Sequence, residues 1–208
     1  GINYTLKNLS GWMKPSKRHV SVLFQPASNK VHYQPKGVVG VIVPWNYPLY
    51  LSLSPMVGAL AGWLQEGIIR SCHASGSVSG TGKIGGLVGA NQEGKLMFCD
   101  ADVMVTSTDW ISGGLVGDNE FGTVLGCSAS GAINGVNFVG GLVGSNPMEP
   151  GGELRYGTIK HCHASGAVSG TMGIGGLCGA SSGRVDRCYA SGAVSGDEDI
   201  GGLVGYNS

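Results

Sequence analysis

Charge is scarce in this chain. Of 208 residues only 13 are basic and 13 acidic, fewer together than the 39 glycines. That balance excludes a helical bundle or coiled coil, folds in which charge far outweighs glycine. Long apolar runs are also missing, and no stretch approaches the ~20 uninterrupted apolar residues of a membrane-spanning helix. Yet 42% of the residues are hydrophobic, more than a disordered chain carries, so the chain is expected to fold. A formal net charge of zero gives no electrostatic reason to expect nucleic acid or an anionic membrane as partner.

These scarcities are uneven along the chain. Residues 1–62 hold no aspartate, glutamate or cysteine, yet carry Lys7, Lys14, Lys17, Arg18, Lys30 and Lys36. The rest holds all 13 acidic residues and all 6 cysteines, but only Pro147 and Pro150 of the 8 prolines. Neutrality is a cancellation between unlike parts, and the coincident shifts place a boundary near Gly62 and Trp63, dividing the chain into 1–62 and 63–208.

The second part repeats itself. It reads GIIRSCHASGSVSGTGKIGGLVGAN from Gly67, GTIKHCHASGAVSGTMGIGGLCGAS from Gly157 and GRVDRCYASGAVSGDEDIGGLVGYN from Gly183, with looser copies from Gly94 and Gly122. The double glycines begin at Gly85, Gly113, Gly140, Gly175 and Gly201, and the long third step contains an insertion at 147–156. Apolar residues alternate within each copy, as at Cys72 and Ala74, in short runs cut by glycine. That is the signature of strands joined by tight turns. One copy has too little apolar surface to fold alone, so the copies must stack and bury one another. The expected fold is mainly β: a parallel β-solenoid of about five coils, three short strands to a coil, preceded by a short N-terminal α/β fragment. The glycines have two explanations, turn geometry at positive φ and close backbone approach at the GGLVG corner.

The repeated unit, with its GGLVG core and the preceding C-x-A-S-G-x-V-S-G stretch, resembles the GLUG motif of large bacterial surface, adhesin-like and secreted-protease proteins. The resemblance covers nearly all of 67–208. It implies an extracellular or cell-surface address and a spacer or adhesive role toward a host or cell-surface ligand. It supplies no catalytic residue to carry over.

Five cysteines, Cys72, Cys99, Cys127, Cys162 and Cys188, hold one slot in successive copies, and Cys178 stands where other copies have valine. Stacking puts the five in a column whose side chains point the same way, which suits a buried thiol ladder better than disulfides. The runs Cys72-His73 and His161-Cys162-His163 look like ligand or nucleophile pairs, but adjacent strand residues face opposite sides, so cysteine points in and histidine out. No paired ligand spacing of the zinc type occurs, and no metal site is expected. Gly80, Gly82 and Gly85 satisfy G-x-G-x-x-G without the strand-to-helix context that phosphate binding needs. Asp197, Glu198 and Asp199 are acidic in one copy alone and read as a solvated turn rather than a calcium loop.

Residues 1–62 follow another logic. Leu6 to Met13 reads as the tail of a helix, and SVLFQPASNKVHYQP reads as two strands around a turn at Ala27 to Asn29. Val38 to Val43 is a β-branched run suited to a buried parallel strand, and Tyr50 to Gly62 reads as a helix packed behind it. The stretch GVVGVIVPWNYPLYLSLSPMVGALAG resembles the aldehyde dehydrogenase superfamily, and with the preceding WMKPSKRHVSVLFQPASNKVHYQPK it looks most like the coniferyl aldehyde dehydrogenase branch. By that resemblance Asn46 would be the amide that stabilises the oxyanion formed when a thiolate attacks an aldehyde, while Val43 and Trp45 would line the NAD(P) site.

In that family the nucleophilic cysteine, the general-base glutamate and most of the dinucleotide fold come later in the chain, beyond where the resemblance stops at Gly62. One strand and one helix do not bind a dinucleotide. The chain is therefore expected to be non-enzymatic and to need no cofactor: a repeat scaffold fused to an inactive fragment, which either caps the first coil or is an accident of gene fusion. The alternative is a piece of an NAD(P)-dependent aldehyde dehydrogenase. A further reading makes the solenoid a calcium or carbohydrate binder.

Overall fold

The computed structural model describes residues 16–18, 29–31, 56–148 and 155–208; for 16–18, 29–31, 56 and 57 the backbone alone is considered. The chain divides into two compact units, Gly1–Val39 and Gly40–Ser208. In the first, Ser16–Arg18 pairs antiparallel with Asn29–Val31, Ser16 opposite Val31. Asn29, expected in a turn, thus begins a strand. The expected Leu6 to Met13 helix and Val38 to Val43 strand lie outside the described residues.

In the second unit every regular element among the described residues is a β-strand, and the repeats are coils of a parallel solenoid. Each coil has four sides rather than the expected three. In the second coil these are Lys95–Met97, Asp100–Ser107, Ile111–Gly113 and Val116–Asp118. Each strand pairs in parallel with its equivalents one repeat earlier and later: Leu96 lies beside Ile69 and Val124, and Val116 beside Val88 and Val143. The additional side came from the corner itself. The second glycine of each pair and the following leucine make a bend, and the residues after it start a new strand instead of closing the old one.

Period-two patterning fixes which way each strand faces. Along Asp100–Ser107, Ala101, Val103 and Val105 are buried while Asp102, Met104 and Thr106 are exposed. Equivalent side chains therefore stack in columns. Leu87, Leu115, Leu142 and Leu177 form one at the corner, and Leu96, Val124 and Ile159 another. Of the two explanations for the corner glycines, close approach is the one that operates. A Cβ on Gly113 would lie 2.0 Å from the Val116 carbonyl oxygen, and one on Gly114 would lie 2.2 Å from that of Gly141.

The solenoid starts before the first recognisable repeat. Met56–Gly58 pairs with Lys83–Gly85, and Ala61–Gln65 with Val88–Gln92, so a half coil precedes the five whole ones. This corrects the expected Tyr50 to Gly62 helix over its second half, and with it the idea of a helical cap and of an α/β fragment reaching Gly62. The reason is the open edge of the first repeat, whose unpaired backbone groups are worth more to this segment than an isolated short helix. The sequence allows it: Val57-Gly-Ala-Leu-Ala-Gly-Trp63 falls in register on Ile84-Gly-Gly-Leu-Val-Gly-Ala90.

The insertion leaves the solenoid at one corner. Gly157 N–H donates to the Pro147 carbonyl at 3.0 Å, and Met148 bridges Tyr156, which closes its neck before Thr158–Lys160 resumes the coil.

Candidate functional site

Of the chemistry-bearing groups, the cysteines are the most concentrated. Cys99, Cys127 and Cys162 are fully buried, Cys72 and Cys188 at the ends of the column are partly exposed, and all six thiols are free. The thiols of Cys127, Cys162 and Cys188 are held at both ends. The Cys127 S–H donates to the Leu125 carbonyl at 3.3 Å, and its sulfur accepts the Cys99 N–H at 3.4 Å. Cys162 repeats the pattern with Lys160 and Cys127. Cysteine thus fills the core and satisfies a backbone donor. Hydrogen bonding toward the Cys162 and Cys99 sulfurs, together with burial, keeps the proton on Cys127 and pushes its thiol well up, while the same bonds pull Cys162 and Cys99 down. Burial pushes the Cys178 thiol up. Whatever its protonation state, a thiol enclosed in the core is out of reach of a reagent in water. Under native conditions iodoacetamide is therefore expected to alkylate Cys72 and Cys188 and to reach Cys99, Cys127, Cys162 and Cys178 only after denaturation. Peptide mass spectrometry checks this, and rapid native labelling of Cys162 would contradict it.

The histidines beside them point away, as the strand alternation requires. His161 is exposed with φ 53°, His163 stacks on Tyr189 with ring centroids 5.0 Å apart, and His73 pairs with Asp100. Cys162 and its flanking histidines therefore form no dyad. Among the described residues no group of three or more His, Cys, Asp or Glu could hold a metal ion, and no helix is long and apolar enough to cross a membrane. Asp197, Glu198 and Asp199 are all exposed, and Lys83–Gly85 continues into another strand rather than a helix. Lys83 itself binds the buried carboxylate of Asp118 at 2.7 Å and also Glu120, tying the first coil to the second. A shallow groove of about 230 Å³ lies beside Phe138, Ser145, Pro147, Ser182 and Tyr206; no carboxylate, imidazole, thiol or amine side chain lines it.

A second polar column was missed in the sequence. Asn91, Asn119 and Asn146 occupy one slot and are completely buried. Asn91 Nδ2 donates to Asn119 Oδ1 at 2.8 Å, Asn119 Nδ2 to Asn146 Oδ1 at 2.8 Å, and Asn146 Nδ2 to Ser181 Oγ at 3.2 Å. The amides also cap the turn, Asn119 Nδ2 reaching the Gly122 carbonyl at 3.0 Å. The signal was present in GAN, GDN, GSN and GYN after each GGLVG corner.

The ladder ends badly at the half coil. Leu64 stands opposite Asn91, so Asn91 Oδ1 is buried with no hydrogen-bond partner. Ala59 stands in the column of Gly86, but its N–H reaches the second glycine of the next pair, Gly86 O, at 3.4 Å, whereas Gly86, Gly114, Gly141 and Gly176 each donate to the first glycine of theirs at 3.1–3.2 Å. An orphaned buried acceptor costs about 1–3 kcal/mol. Leu64→Asn is expected to supply the missing donor and raise stability by about 1 kcal/mol after the lost leucine packing. Urea midpoints with and without Asn91→Leu check it, because the gain must vanish in that background.

Asn46, Val43 and Trp45 lie outside the described residues. Comparison with known proteins addresses their segment directly: residues 4–62 match the aldehyde dehydrogenase family. That stretch is aldehyde dehydrogenase-like. It is 64% identical over 61 residues to a probable coniferyl aldehyde dehydrogenase of Pseudomonas aeruginosa, covering 29% of this chain and 13% of that one. It is 50% identical over 56 residues to an aldehyde dehydrogenase of Craterostigma plantagineum, 27% of this chain and 12% of that one. Against aldehyde dehydrogenase family 3 member B1 of Bos taurus the identity is 48% over 60 residues, 29% and 13% of the two chains. The chain thus spans about an eighth of the length of the curated relatives it matches. No solved structure matches. The match runs through Gly62 and so includes Met56–Gly58, the first strand of the half coil. The same residues serve both patterns.

Proposed function

We propose that residues 56–208 act as a non-enzymatic structural scaffold, a short rigid spacer whose side-chain chemistry is spent on holding coil to coil. The observation that carries this reading is the pair of interior columns, in which cysteine and asparagine, the residues most able to bind or react, are buried and bonded to the next coil. The resemblance of the repeat to the GLUG motif supports an extracellular or cell-surface setting and a role in display or adhesion.

A second reading is favoured by the match over 4–62 and has more support from the comparisons than the first. In it the segment is part of an NAD(P)-dependent aldehyde oxidoreductase, with Asn46 donating its amide N–H to the oxyanion and Val43 and Trp45 at the cofactor. An oriented amide donor in such a place is worth a few kcal/mol to the transition state. The physical objection is that a donor accelerates nothing without a thiolate to generate the oxyanion, and of the coil thiols four are enclosed while the two within reach, Cys72 and Cys188, sit at the ends of a structural column. Incubating the full chain with NAD(P) and coniferyl aldehyde decides between the two. The scaffold reading expects no NAD(P)H above a protein-free control. Production that Asn46→Ala abolishes would establish the oxidoreductase instead.

A further inference from the structure

We propose that Lys83 and Asp118 condense within the folded chain to an isopeptide bond, Lys83 Nζ to Asp118 Cγ, with Glu120 moving the protons, so that the first two coils are joined covalently. The proposal needs only the fold and stands under either functional reading.

Strand geometry delivers the three groups. Lys83 opens Lys83–Gly85 in the first coil, and Asp118 closes Val116–Asp118 on another side of the second. Gly117 lets these two strands meet backbone to backbone, since a Cβ on it would lie 2.8 Å from Ile84 N and 2.9 Å from Ile84 O. Asp118 is also fixed within its own sheet, in register with Ala90 and Ser145. Lys83 therefore has a short, set path to the carboxyl: its Nζ stands 2.7 Å from Asp118 Oδ2 and also contacts Glu120 Oε1. The carboxyl carbon is one C–O bond beyond Oδ2, so little movement separates amine and carbon from near-attack contact at roughly 3–3.5 Å. Nor is the pairing a by-product of the repeat. Ile111 holds the Lys83 slot in the next coil, and Ala90, Ser145 and Ala180 hold the Asp118 slot in others.

The surroundings favour a neutral product. Asp118 is 4% exposed, and its Oδ1 is buried with no hydrogen-bond partner. A buried charge left half-satisfied is costly, and a buried ion pair can lose more in hydration than it gains from attraction. Condensation removes both charges. Burial pushes the Asp118 carboxyl up, past the opposing pull of Lys83. It acts the same way on Glu120, but there the bond from Lys83 wins and holds the group below its ordinary value. The two carboxyls thus divide the work: Asp118 is the one suited to be protonated and attacked, and Glu120 the one that stays ionised and accepts a proton. Burial also works against the Lys83 ammonium, yet its bonds to both carboxylates outweigh that and hold the proton on. The amine turns nucleophilic only as that proton passes to Glu120.

The step balances without any other reagent. Glu120 takes a proton from the Lys83 ammonium, and the freed lone pair attacks Asp118 Cγ to form the C–N bond. Glu120 gives the proton to the departing carboxyl oxygen, the C–O bond breaks, and a second proton from the nitrogen leaves with that oxygen as water. Nothing is oxidised or reduced, and Glu120 ends as it began.

Intact-mass and peptide mass spectrometry on the full chain, held folded at neutral pH until its mass stops changing, test the proposal. The expected result is a chain lighter than its sequence by one water molecule, with a branched peptide joining Lys83 to Asp118. Lys83→Arg keeps a cation beside Asp118 without an amine to acylate, and Glu120→Gln keeps the shape without the base. Both should fold, by circular dichroism, and retain the full sequence mass. A full sequence mass in the unaltered chain overturns the proposal. So does a water loss that survives Lys83→Arg, which would mark a succinimide at Asp118, or one that survives Glu120→Gln, which would take the proton transfer away from Glu120.

Discussion

Leu142→Asp is expected to unfold the solenoid at room temperature, read as loss of the β-sheet circular dichroism signal. Leu142 has no solvent exposure and lies in the leucine column between Leu115 and Leu177, each held by corner hydrogen bonds to the next coil. Removing a buried leucine costs about 2–5 kcal/mol. Placing an unpaired carboxylate there adds several more. Together these rival the 5–15 kcal/mol that stabilises a typical domain. Two comparisons isolate the cause. Leu142→Ala should lower the urea midpoint without abolishing the fold. Leu203→Asp, in the same column in the last coil, should cost far less in this chain, since its leucine is 38% exposed. An unchanged melt for Leu142→Asp would mean that the column does not exist.

Asn119→Ala is the second large effect. Its amide accepts from Asn91, donates to Asn146 and donates to the Gly122 carbonyl, all without access to water. Truncation leaves at least the Asn146 acceptor buried and alone, and it opens a gap against Gly122 and Gly157, whose backbones pack on these amides. The expected cost is about 2–5 kcal/mol. Asn119→Asp separates geometry from chemistry. The carboxylate has the same shape and still accepts from Asn91, but it cannot donate to Asn146 Oδ1. It should therefore be nearly as damaging at neutral pH and partly recover as the pH falls, when a protonated carboxyl regains its donor. A flat pH profile for that variant would place the damage elsewhere.

The contrast between these two columns explains what the sequence made legible. Leu142 could be placed inside from its position after a repeated double glycine, because a large apolar side chain recurring at the same corner of stacked coils has only the interior in which to bury itself. The cysteine column followed from the same alternation, and the histidines beside it followed as its complement. Asn119 resisted that logic. A polar residue after a glycine corner reads as a turn facing water, and its burial is favourable only because Asn91 and Asn146, 28 and 27 residues away, bring matching donors and acceptors to it. The half coil failed for a related reason. Tyr50 to Gly62 has apolar spacing compatible with a helix, and the strand state of its described part, from Met56 onward, depends on an edge supplied by Lys83–Gly85 and Val88–Gln92. The site residues Asn46, Val43 and Trp45 were legible only through family likeness, which the match over 4–62 supports for the segment as a whole.

The neck between Pro147 and Gly157 has a practical consequence. A backbone hydrogen bond and the Met148 to Tyr156 bridge seal the insertion before the next strand begins, and Arg155 on its far side ties it back to the coils through Glu93 and the Phe121 ring, so a graft that keeps Arg155 keeps these contacts. Lengthening such a loop adds only about 0.6 kcal/mol per doubling. That corner is therefore a natural port for foreign cargo: an epitope, a fluorophore tag or a small folded module grafted there should ride on the column without shifting a single rung.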